Sequence, residues 1–147
     1  MNLAVSLATR LKVMNSIKNI ARLGLGLALV YVGIGHFTFS RIEFRSQVPT
    51  WLPLDPDFVV LASGVVEISL GLSLIVLYKF KQQVGLATAL FFIAIFPGNI
   101  SQYVNGIDAF GLNTDAARFT RLLFQPLLVL WALWSTNALD YFKPKKR

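Results

Sequence analysis

Two neighbouring stretches decide the fold: Phe58–Tyr78, FVVLASGVVEISLGLSLIVLY, and Val84–Val104, VGLATALFFIAIFPGNISQYV. The first holds one charged side chain, Glu67, in 21 residues, and the second holds none. An apolar helix needs about 20 residues to cross the hydrocarbon of a bilayer. Both stretches therefore read as membrane-spanning helices. Only the short basic turn Lys79–Gln83 separates them, so they are antiparallel neighbours.

Working outward, two more stretches of the same kind appear, at about 20–39 and 119–139. Arg22 and Arg121 sit in their first turns, where a long side chain can reach toward the interface. The reading is an all-α polytopic membrane protein: a transmembrane domain over 20–139, with spans at 20–39, 58–78, 84–104 and 119–139 in an antiparallel bundle. A basic juxtamembrane arm, 1–19, precedes it, and a basic tail, 140–147, follows. Composition agrees. Of 147 residues, 55% are hydrophobic and 14% charged, against about a quarter charged in soluble domains. The charges cluster between the spans, whereas a soluble helix scatters them along its outer face.

Loop charge orients the bundle. The N-terminal arm, the 79–83 turn and the tail hold Arg10, Lys12, Lys18, Arg22, Lys79, Lys81, Lys143, Lys145, Lys146 and Arg147. The other side holds Arg41, Arg45, Arg118 and Arg121, so ten of fourteen basic residues lie with the termini. Basic loops stay inside, so both termini are expected in the cytoplasm. This distribution also explains the net charge of +7 without nucleic acid as a partner. The expected partners are the lipid bilayer and a membrane protein or a second copy of the chain. The expected location is a bacterial plasma membrane. Residues 1–19 read as a juxtamembrane arm in preference to a transit peptide, with Met1 or Met14 as the start.

Cysteine is absent, which removes disulfides, thiolate metal sites and CxxC redox chemistry from this chain. With a single histidine, a His-rich metal or haem site within one protomer is not expected. The outer loop 40–57 interleaves Ile42, Phe44, Val48, Trp51 and Leu54 with Arg41, Glu43 and Arg45. It reads as a segment lying on the membrane surface, with Trp51 at the headgroup level.

Polar side chains inside spans are expensive and normally face protein. Here they are His36, Glu67, Asn99, Arg121 and Gln125. Counting rise per residue from the outer ends puts His36 and Arg121 roughly 5 Å deep, Asn99 about 8 Å, Gln125 about 10 Å and Glu67 about 15 Å. All five fall in the outer half, which implies a polar pocket opening outward. Ser63, Gly64, Glu67 and Gly71 share a helix face, and small residues admit a close neighbour. Glu67 must be paired, hydrated or protonated. Its expected partners are Asn99 or Gln125, with Arg121 about 10 Å away in depth. Each polar group has a plainer alternative. Glu67, Asn99 and His36 can serve as hydrogen-bonded glue between helices, and Arg121 as an ion-pair partner. Pro97 and Pro126 are expected to free the carbonyls of Ile93 and Leu122.

Several motifs resemble the DoxX family of small membrane proteins: Gly33-Ile-Gly-His36-Phe37, Val48-Pro49, Leu52-Pro53, Ser63-Gly64-Val-Val-Glu67 and Phe96-Pro97-Gly98-Asn99-Ile100. The resemblance runs from about Gly24 to Trp134. It implies a four-helix membrane bundle with His36, Glu67 and Asn99 at the family's polar positions. It also implies an oxidoreductase label, because some relatives resemble subunits of thiosulfate:quinone oxidoreductase, while others act as assembly factors for membrane receptors.

Two functions follow as expectations. One is an accessory subunit of a quinone-linked redox system, with the outward pocket holding a quinone and Glu67 or His36 exchanging protons. The sequence itself carries no cysteine, nucleotide fingerprint or paired histidines, so electrons would come from a partner or a bound cofactor. The other is a non-catalytic binding or assembly protein, whose pocket and small-residue faces hold a lipid or a partner helix.

Overall fold

The computed structural model describes residues 3–144, and among these it is all helical. Five α-helices follow in order: α1 Leu3–Gly35, α2 Arg41–Gln47, α3 Pro56–Val76, α4 Lys81–Val104 and α5 Asp115–Thr136. Short 3₁₀ turns at Tyr78–Phe80 and Ala138–Phe142 follow α3 and α5. Four of the helices are long and apolar enough to cross a membrane. Their outward faces expose Leu27, Leu72, Leu90 and Leu130, a surface that suits lipid and not water.

The helix limits follow local chemistry. Asp55 accepts a hydrogen bond from the Phe58 amide at 2.9 Å, and Pro56 sits in the first turn, so α3 starts two residues before the expected 58. Thr114 caps α5 through the Ala117 amide at 3.2 Å. Asn137, at φ +54°, ends α5 in a left-handed residue three positions before the expected 139. The first span ends at Gly35 and not at 39, because residues 36–40 leave the helix in a run of turns. The basic arm is helical as well. It continues α1 without a break through Met14, giving 33 residues and a length of about 50 Å. Met1 and the tail residues Lys145, Lys146 and Arg147 lie outside the described residues.

The bundle is built from two intimate pairs. α1 lies against α3 through glycines: a Cβ on Gly71 would sit 2.6 Å from the Gly26 carbonyl oxygen, and one on Gly64 3.0 Å from that of Gly33. The pairing of 26 with 71 and 33 with 64 makes the helices antiparallel. α4 packs on α5 equally closely, with Gly85 directly under Thr136. The pairs join through α1 and α5, where Trp131 Nε1 donates to the Ala21 carbonyl at 2.9 Å and Lys18 Nζ to Asn137 at 2.6 Å. A core of Leu25, Leu29, Leu74, Ala89, Phe92 and Ala132 fills the middle. On the opposite side, α3 and α4 pack only lightly on each other although a tight turn joins them.

Candidate functional site

The end of the bundle that carries α2 contains a cavity of about 450 Å³. His36, Glu67, Asn99, Arg121 and Gln125 all line it. The structure thus brings these five side chains to one cavity, with contacts other than those expected.

Glu67 bonds neither Asn99 nor Gln125. Its Oε2 faces His36 Nε2 at 3.1 Å, an ion-pair distance, and among the described residues neither atom has a hydrogen-bonding partner. Glu67 is 4% exposed and His36 5%. The other ring nitrogen, Nδ1, lies 2.8 Å from the Val60 carbonyl oxygen. A carbonyl can only accept, so Nδ1 carries a proton. Nε2 and Oε2 can then bond only if one proton lies between them. Either a neutral carboxyl donates to a neutral imidazole, or an imidazolium donates to a carboxylate. In both forms the pair has no net charge. Depth counting missed this contact because α3 extends beyond the end of α1. Gly33 is level with Gly64, so the turn after α1 sets His36 beside Val60 and above Glu67.

Asn99 and Gln125 bond each other instead. Asn99 Nδ2 donates to Gln125 Oε1 at 2.9 Å, and Gln125 Nε2 donates to the Phe92 carbonyl at 2.6 Å. The carbonyl taken up near Pro97 is therefore that of Phe92 and not Ile93. Among the described residues, no side chain takes the Ile93 or Leu122 carbonyl, and both helices continue through their prolines.

Arg118 shares a helix with Arg121 but has a different role. It donates to the Ile107 carbonyl at 3.2 Å, to Asp115 at 2.7 Å and to Asp108, clamping the 105–114 loop. Arg121 lines the cavity half-buried, and among the described residues no acidic side chain lies within 4.0 Å of it.

The outer loop covers the cavity and does not merely lie on the surface. Phe44 of α2 stacks on the His36 ring with centroids 3.6 Å apart and meets Phe110 edge-on at 4.8 Å. Gln47 is buried and donates to Gln102, which in turn donates to the Ala109 carbonyl at 3.3 Å. Arg41 and Arg45 both reach Asp57 at the start of α3. The hydrogen bond to Asp57 raises the Arg41 pKa above its ordinary value. Trp51, 70% exposed, stands at the cavity rim with Pro49 and Leu52. The sequence reading set Phe44 on the membrane surface and did not single out Gln47 or Gln102. The signal for Phe44 and Gln47 was their i, i+3 spacing along α2.

Compared with known families, residues 25–136 match a domain of unknown function, DUF8561. The chain belongs to this family. The match takes in everything from the middle of α1 to the end of α5, and so the whole cavity. It overturns the resemblance to DoxX, a family to which this one is unrelated. The motifs that suggested DoxX are glycines at close helix crossings, prolines in a loop and an amide after a proline. Helix packing accounts for each of them without common descent. The oxidoreductase label implied by that resemblance falls with it. No curated protein and no solved structure matches the chain.

Proposed function

We propose that this protein is a membrane-embedded binding protein for one lipid-soluble, amphipathic molecule held in the cavity beneath α2. The observation that carries the reading is the cavity itself. Its volume of about 450 Å³ falls within the ~300–1,000 Å³ of small-molecule sites. Its walls are mainly apolar, with Leu25, Leu29, Phe91, Ile95 and Leu128 toward the middle of the bundle. Its polar groups, Ser63, Glu67, Asn99 and Arg121, gather toward the α2 end. By loop charge that end is the non-cytoplasmic one. Binding asks for nothing that the chain lacks.

A second reading, a quinone site with proton exchange, draws on the proton held between His36 and Glu67. A quinone oxygen placed near Glu67 could receive that proton during reduction by an external donor.

Native mass spectrometry of gently solubilised protein tests the first reading. One tightly held small molecule per chain is expected, and it should be lost in Ser63→Phe, which fills the cavity from α3. Wild-type protein that carries only exchangeable bulk lipid, indistinguishable from the variant, would defeat the proposal. A quinone absorbance in the released molecule would select the second reading.

A further inference from the structure

We infer that the bound molecule is a single-chain amphiphile with an oxyanion head, and that Arg121 pairs with that head. The inference rests on the binding reading above and names its ligand class.

Charge bookkeeping at the cavity leads to it. The His36–Glu67 pair is neutral overall in either of its bonded forms, since one proton serves both. Asn99 and Gln125 are neutral amides that satisfy each other. With one proton shared by His36 and Glu67, Arg121 leaves the cavity with one net positive charge. Of the other acids at this end of the bundle, Glu43 on α2 does not line the cavity, and the rest are engaged elsewhere. Asp57 is held by Arg41 and Arg45, Asp108 and Asp115 by Arg118, and Asp55 caps α3. A half-buried guanidinium with no acidic side chain within 4.0 Å among the described residues is costly and marks a functional site. Its planar fork matches carboxylate and phosphate oxygens.

Shape supplies the second half of the argument. The lining runs from Arg121 to Leu128 along α5, about 10 Å at the helical rise, and from His36 to Leu25 along α1, about 16 Å. The cavity is therefore elongated, polar at one end and apolar at the other. One acyl chain fits that form, with its head beside Arg121. The lightly packed side between α3 and α4 faces lipid and offers the chain a lateral route.

The test measures binding of three ligands with equal chain length to purified protein: a fatty acid, a lysophosphatidic acid and a fatty alcohol. At least one oxyanion ligand should bind ten times or more tightly than the alcohol, and the stronger of the two identifies the head group. Arg121→Gln should remove that preference while keeping alcohol binding, and Arg121→Lys should retain part of it. Equal affinity for all three in the wild type would overturn this inference and leave the binding reading intact. Failure of all three to bind would remove this inference, and empty native spectra would remove the binding reading with it. Should Arg121→Gln fail to fold, wild-type selectivity and Arg121→Lys still decide.

Discussion

His36 Nε2 and Glu67 Oε2 stand 3.1 Å apart, neither with a hydrogen-bonding partner among the described residues, while the far side of the same imidazole donates to the Val60 carbonyl. The bond requires one proton and not a charge. Glu67→Gln should therefore preserve stability, since an amide N–H can donate to Nε2. His36→Leu strands a buried carboxyl and should cost about 1–3 kcal/mol. Unfolding titrations in mixed micelles would measure both. Equal losses in the two variants would mean that His36 needs a carboxylate and that the pair is ionic.

The glycine contacts between α1 and α3 predict a contrast. A Cβ on Gly71 meets the Gly26 carbonyl at 2.6 Å, which is backbone and cannot swing aside. Gly71→Ala should destabilise by about 1–3 kcal/mol through overpacking. Gly24, whose nearest neighbour is Trp131 at 3.9 Å, should accept alanine with no loss. Thermal aggregation of the two variants side by side gives the answer, and equal midpoints would refute the close crossing.

The four spans were legible because lipid demands long apolar runs, and among the described residues four helices meet that demand. That His36, Glu67, Asn99, Arg121 and Gln125 share one cavity was legible for a related reason: they were the polar side chains that the spans could not otherwise explain. Their pairing was not legible. Depth counted along each helix assumes that helices end level, and α3 outreaches α1, so His36 met Glu67 where counting had set them about 10 Å apart. The role of α2 was hidden as well. Ile42 and Phe44 look alike in sequence, yet one is 82% exposed and the other stacks on His36.

Asn99 and Gln125 should be energetically coupled. A double-mutant cycle with Asn99→Leu and Gln125→Leu is expected to give about 0.6 kcal/mol, with an upper bound near 1.7 kcal/mol. Gln125→Leu should be the worse single change, because it also abandons the Phe92 carbonyl. Strict additivity would show that the amides do not bond in the membrane.

Topology can be checked by reporters. A fusion following the tail should be active only in the cytoplasm, and one inserted at Gly111, a left-handed loop residue with open space around it, only on the other side. In a single-Trp variant retaining Trp51, lipid quenchers at headgroup depth should be the most effective. Strong quenching by deep labels alone would move the rim of the cavity into the hydrocarbon.

Each intimate pair of helices keeps a polar contact of its own: His36 with Glu67 beside α1–α3, Asn99 with Gln125 inside α4–α5. Across the two halves, Gln47 and Gln102 share a buried side-chain hydrogen bond. In effect the chain is a heterodimer written as one polypeptide, with the 3₁₀ turn at Tyr78–Phe80 as its tether. Cut at that turn, the two hairpins should insert separately and find each other in the bilayer. The binding chamber, whose walls come from both, would exist only after they had met.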